Sequence, residues 1–299
     1  MTTISEQSPA AAVDAPPRRR GPDLRRVRWW RVVVLGVLAV YFLVPLASTF
    51  WFTVYTPGTK KFSLAPYGQM FGAAGFTTSV RMTVEVALLT IVILYALLIP
   101  AMIAVQLRLP KLKPVLESLA MVPLVLSPVA LVVGVQTVLG WGLNQDPGTP
   151  LFQFAADLQN QSFPIILPIV YVVIALPFAY RSLEAGLRSV DLKTLVEASR
   201  GLGASWPVTI WRAVLPNLRS GLLSGAILTL ALVFGEYTIS SILQFLPFSV
   251  WIVQDGQGAT SGQLAPAVSL LSLLLTWAVL FLVSFLGGRR AVGRPDRSS

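Results

Sequence analysis

Six apolar blocks, at about residues 32–54, 84–105, 115–140, 163–180, 221–243 and 264–287, limit what this chain can fold into more than any other feature. A helix needs about 20 mostly apolar residues to cross a bilayer, and each block reaches that length or falls just short. Within hydrocarbon the backbone must satisfy its own hydrogen bonds, which leaves helices or closed barrels. Blocks of this length specify an all-α membrane protein, a six-transmembrane-helix bundle. Only 12% of the residues are charged and the mean hydropathy is +0.71, whereas a soluble domain carries about 25% charged residues. Cysteine and histidine are both absent. Disulfides, zinc sites, imidazole bases and thiol nucleophiles are therefore excluded together. Several blocks contain proline, including Pro45, Pro100, Pro123, Pro128, Pro164, Pro168 and Pro177. Proline is tolerated there when neighbouring helices satisfy the freed carbonyls, so packed bundle helices are expected rather than isolated anchors.

The positions of the basic residues set the expected orientation. Of 23 lysines and arginines, seven lie in the N-terminal arm, three in the 106–114 connection, six in the 181–220 connection and four in the C-terminal tail. Twenty therefore fall on one side, against Lys60, Lys61 and Arg81 on the other. By the positive-inside rule both termini are expected in the cytoplasm. Residues 1–31 read as a disordered basic arm, 32–287 as the membrane domain and 288–299 as a cytoplasmic tail. A cleaved signal peptide is not expected, because the first apolar run is long and comes late. The arm's charge, within the overall +10, suits anionic lipid better than nucleic acid, which is not an expected partner. Trp29, Trp30, Trp51, Trp141 and Trp251 flank blocks as an interfacial belt would.

The 181–220 connection has helical logic of its own. Asp191 is placed to cap a helix LKTLVEASRGL, with Leu192, Leu195 and Val196 on one face, and Gly203 to end it. Ser205 is placed to cap a second helix, WPVTIWRAV, with Pro207 in its first turn, and Leu215-Pro216 closes the unit. Two readings follow: a compact projection offering its apolar residues to something other than lipid, or an interfacial helix pair lying on the bilayer.

Within this connection Glu197-Ala198-Ser199, then Gly203 after three residues, then Leu215-Pro216, resemble the EAA-x3-G-x9-I-x-LP pattern. That pattern marks the permease subunits of bacterial binding-protein-dependent ABC importers. Ser199 stands where the pattern has a second alanine, and Ala213 where it has isoleucine, with Val214 beside it. The surrounding sequence is similar to the spermidine/putrescine-type branch, which also includes permeases for thiamine, ferric iron and phosphonates. The resemblance implies that Glu197, Ala198, Ser199, Gly203, Leu215 and Pro216 form the element that couples to a cytosolic ATP-binding subunit. It also implies a second permease subunit, an extracytoplasmic solute-binding protein and a bacterial inner-membrane location. A local alternative for Glu197 is an ion pair with Lys193 or Arg200, its helical neighbours.

No G-x-x-x-x-G-K-[ST] phosphate cradle occurs in the chain. No cofactor is expected on this chain and no catalysis by it, ATP and magnesium residing on the partner ATPase. Glu236 lies deep in the fifth block, within Phe234-Gly235-Glu236-Tyr237. A membrane carboxylate marks a pathway or a gate, unless it bonds to a polar neighbour or to a tyrosine of another helix. Glu236, Tyr237, Gln136 and Tyr171 are the candidate pathway residues, with Tyr41, Tyr95, Thr137 and Gln244 as further polar groups. An unpaired acid there would favour a small cation, and the resemblance to the spermidine/putrescine-type branch puts polyamine first. The rival reading is an ion-coupled secondary transporter or channel using Glu236. Arg81 and Glu85 form an expected i,i+4 pair, and Gly221 with Gly225 a small-xxx-small step for close helix approach.

Overall fold

A computed structural model describes residues 29–56, 61–256 and 262–288. Most of the expected N-terminal arm and C-terminal tail lie outside these residues. The described chain is almost wholly helical, the exception in regular structure being a two-residue antiparallel ladder of β1 (Tyr55–Thr56) with β2 (Lys61–Phe62). Residues 29–48, within helix α1 (Trp29–Val54), belong to one unit and are exposed. The second unit runs from Thr49 and contains everything discussed below.

Two helices of that unit are long and apolar enough to cross a membrane, α3 (Phe76–Leu107) and α7 (Ile166–Arg188), as α1 also is. Two further blocks are bent pairs rather than straight spans. The third block divides into α4 (Lys113–Met121) and α5 (Pro128–Leu143), turning by 97° between them. Both Pro123 and Pro128 remove an amide donor, but the break itself falls before Pro128, where Ser127 is extended (ψ 134°) as a residue preceding proline prefers, while Val122 before Pro123 stays helical. The fifth block also departs from a single span. Helix α11 (Arg219–Gly235) stops at Glu236, whose backbone is extended, and the chain resumes as the five-residue α12 (Thr238–Ile242) and then α13 (Phe248–Gly256). The sixth block forms α14 (Leu264–Gly288). Short helices α2 (Ala65–Gln69) and α6 (Pro150–Leu158) occupy the connections.

Helices α7 and α11 make the most extensive contact, with α3 packed against both. Glycine makes this approach possible. A Cβ at Gly221 would lie 2.8 Å from the Ser182 carbonyl oxygen, and one at Gly225 3.3 Å from the Ala179 Cα. The small-xxx-small step therefore works as its spacing suggests. Two apolar clusters fill the bundle. One joins Leu94 and Leu98 of α3 to Tyr180 and Leu183 of α7, the other Val86 to Leu167, Val233 and Phe245. A third, around Met70, Phe248, Trp251 and Val268, contains a tryptophan expected at the interface. Trp251 is instead buried, stacked on Phe248, and its indole donates to the Ala74 carbonyl.

Candidate functional site

The 181–220 connection folds into α8 (Leu192–Gly201), α9 (Trp206–Val208), a π-helical turn over Thr209–Val214 and α10 (Leu215–Asn217). Asp191 caps α8 as its position predicts, accepting from the Thr194 amide at 3.2 Å and hydroxyl at 2.7 Å. Those two bonds hold the Asp191 carboxyl below its ordinary range. At the other end Gly203 has φ +84°. Its amide donates to Arg200 and the amide of Ala204 to Ser199. This 5→2 and 6→1 pair is the Schellman arrangement, which needs a residue in the left-handed region.

The second helix differs from expectation. The Ser205 side chain makes no capping bond, and after Val208 the chain widens into the π turn instead of continuing as α-helix. Leu215-Pro216 opens α10 rather than closing the unit, and the axis bends by 78° before α11. The apolar face of α8 also turns inward. Leu192, Val196 and Val214 are buried in the chain's own core, and Leu195 packs against it. What remains outward is the tip, where Leu202 is 90% exposed.

The six motif residues occupy this one element. Ser199 and Thr209 hydroxyls bond at 3.0 Å and tie α8 to the π turn, a link alanine at 199 would not provide. Glu197 and Ala198 are exposed, and the nearest cation to Glu197, Lys193, is 4.0 Å away. A pair so open to water holds little energy.

Glu236 sits at the break between α11 and α12. One carboxylate oxygen accepts from the Ile239 amide at 2.7 Å. The other accepts from the Ser240 amide at 3.2 Å, the Ser240 hydroxyl at 3.0 Å and the Tyr171 hydroxyl at 2.8 Å. The Tyr171 and Ser240 hydroxyls also lie in contact, so their two protons are shared among these three oxygen pairs. The acid thus performs the work of an N-cap for α12, with its tyrosine partner on α7 only 1% exposed. Gln136 of α5 donates to the Ile242 carbonyl at 3.0 Å, at the other end of α12. Tyr237 is exposed and makes no part of this node. Beyond α12 the amides of Gln244 and Phe245 bond back to Ser241 and Ser240, with Gln244 at φ +63°. This is a second Schellman turn, with glutamine where glycine is usual.

One polar cluster escaped the sequence reading. Glu184 of α7, its side chain 7% exposed, meets Arg188 at 2.8 Å, Lys113 of α4 at 3.5 Å and Arg181 at 3.6 Å. Arg181 also meets Glu117 of α4 at 3.1 Å. The i,i+3 and i,i+4 spacing of Arg181, Glu184 and Arg188 was the available signal. The partner on α4 was not, because its approach is tertiary.

Helices long and apolar enough to cross a membrane, packed closely at glycine, define a multi-pass membrane protein. Residues 96–289 match the family described as binding-protein-dependent transport system inner membrane component, and the chain belongs to that family of ABC importer permeases. A probable molybdenum ABC transporter permease of Haloferax volcanii is 26% identical over 280 residues, 90% of this chain and 95% of that one. Sulfate permease 2, chloroplastic, of Chlamydomonas reinhardtii is 29% identical over 225 residues, 72% of this chain but 56% of that one. The sulfate transport system permease protein CysW of Synechocystis is 30% identical over 207 residues, 68% and 72% respectively. These relatives bear molybdenum and sulfate in their names, where the sequence resemblance had led to an expectation of polyamine.

Proposed function

We propose that this permease conducts a small tetrahedral oxyanion of the molybdate or sulfate kind, inward across a bacterial inner membrane. A solute-binding protein delivers the anion outside, a second permease subunit completes the pathway, and a cytosolic subunit binds ATP and magnesium and hydrolyses the ATP. Both termini lie in the cytoplasm, on the strength of twenty basic residues against three. The observation that carries the coupling role is the 191–217 projection, whose turn at Gly203 is locked by two backbone bonds while its tip stands in solvent. A rigid projection transmits the motion of a nucleotide-driven partner, and a floppy one dissipates it.

Support for an anion comes from the names of the relatives and from Glu236. The argument for a cation needed an unpaired acid in the membrane. The Glu236 carboxylate instead accepts four hydrogen bonds, so its charge is balanced by donors and α12 rather than offered to an ammonium. The same saturation weakens an ion-coupled mechanism, because a carboxylate that must take up and lose a proton would break α12 each time. The test is uptake by the complete complex in proteoliposomes containing ATP. Labelled molybdate and sulfate should accumulate and compete with each other. Accumulation of putrescine or spermidine, with both oxyanions inert, would overturn the proposal.

A further inference from the structure

A long apolar groove runs between α3 and the start of the α9–π segment. Its wider part, about 640 Å³, is walled by Ile91, Val92, Ile99, Trp211 and Leu222 among others. A second part of about 280 Å³ continues it to Leu107 and Arg108, the two sharing Pro100, Trp206 and Ile210. From Ile91 to Arg108 the helix rises about 25 Å, more than half the ~30 Å hydrocarbon core of a bilayer. The Tyr95 hydroxyl in the wall is already bonded to the Leu222 carbonyl. Charge gathers at the basic end. The Arg108 guanidinium carbon lies 5.2 Å from the Trp206 ring centre and that of Arg200 5.5 Å from it. Neither arginine has a carboxylate within ion-pair distance among the described residues.

From this arrangement we propose that the groove is a binding site for an anionic phospholipid, its acyl chain along α3 and its phosphate at Arg108, with Arg200 against the same Trp206 ring. The occupant must be hydrocarbon over most of its length, because the wall belongs to a helix apolar enough to span a membrane. It must be negative at one end, where two guanidinium groups stand without acids. A neutral lipid or an apolar helix of another subunit meets the first condition only. The lipid would lie against Trp206, Ile210 and Trp211 and so brace the coupling segment against α3. The inference goes beyond the proposed transport activity and requires only that the chain sits in a membrane.

The experiment is native mass spectrometry of the full complex, reconstituted with equal phosphatidylglycerol and phosphatidylcholine and then released from detergent. Two cations at the headgroup level favour the anionic lipid by about thirtyfold. Arg108→Gln with Arg200→Gln should abolish that preference; both side chains are exposed, and because the Arg200 guanidinium also donates to the Ala204 carbonyl at 2.7 Å, Arg108→Gln alone, which keeps that bond, should lower the preference to about fivefold. Ala96→Trp, at an exposed position of the groove wall, should remove the bound lipid while leaving both cations. Equal retention of the two lipids by the unaltered protein would overturn the proposal. So would a preference that survives the double substitution, or lipid retained undiminished by Ala96→Trp. A photoreactive group at Val92, 62% exposed, should label lipid, and labelling of a second protein chain in its place would also overturn it.

Discussion

Replacing Glu236 by alanine removes the acceptor of four hydrogen bonds at once. Of their donors, the Tyr171 and Ser240 hydroxyls still have each other, but the amides of Ile239 and Ser240 have no other acceptor in the five-residue α12. Both residues are fully buried. A buried donor left unsatisfied costs about 1–3 kcal/mol, so the two together weaken α12 by roughly 2–6 kcal/mol. Glutamine should cost less, about 1–3 kcal/mol, because its oxygen retains one side of the node while its NH2 meets a donor on the other. Hydrogen exchange at amides 239 and 240 reads this directly. At about 1.4 kcal/mol per tenfold, alanine should speed exchange there by at least about thirtyfold and glutamine by about fivefold or more. Unchanged protection at both amides in the alanine variant would refute the capping argument. If transport were lost with protection intact, Glu236 would act on the solute rather than on α12.

Three further outcomes follow from the packing. Gly221→Ala gains roughly 0.5–1 kcal/mol of helix propensity but places a methyl 2.8 Å from the Ser182 carbonyl, an overpacking cost of about 1–3 kcal/mol; thermal unfolding should show a net loss, and a rise in Tm would contradict the close approach of α7 and α11. Gln244→Gly relieves a left-handed glutamine worth about 1–2 kcal/mol while loosening the unfolded chain by about 0.5–1 kcal/mol, so a small net stabilisation is expected, and a clear destabilisation would show that its side chain matters more than its backbone. Glu184→Gln leaves Lys113, Arg181 and Arg188 without their shared acid; a loss on the order of 1 kcal/mol, shrinking in high salt, is expected for an acid whose partners are half in water, and no salt dependence would argue against the pairing.

What the sequence made legible was governed by short-range chemistry. The cap at Asp191, the turn at Gly203 and the pair of Arg81 with Glu85, found at 3.1 Å, each depend on residues within five positions of one another. The glycine step at Gly221 and Gly225 was legible for a related reason, since both face one side of a helix. Hydropathy located the spans but not their bends. An apolar window counts residues and is blind to direction, so the 97° turn inside the third block and the break at Glu236 passed as straight helix. Glu236 itself was visible as an anomaly, a charge in an apolar run. Its meaning lay in Tyr171, sixty-five residues away, and no local rule joins the two. Similarly, Leu192 and Val196 looked like a docking face because the periodicity of α8 does not say which neighbour an apolar stripe will meet. The core of its own chain met it first.

In the proposed transporter the Gly203 projection carries the contact with the ATP-hydrolysing subunit. Its tip residue Leu202, 90% exposed, can be changed to Leu202→Cys in a chain that has no cysteine of its own, with Thr149→Cys as the control on the opposite side. A short bifunctional cross-linker is then applied to inside-out vesicles bearing the whole transport complex. A covalent product between position 202 and the ATP-binding subunit is expected, diminished by added Gly203→Val, whose β-branched side chain opposes the φ of +84°. A complex that transports yet yields that product from position 149 and not from 202 would contradict it.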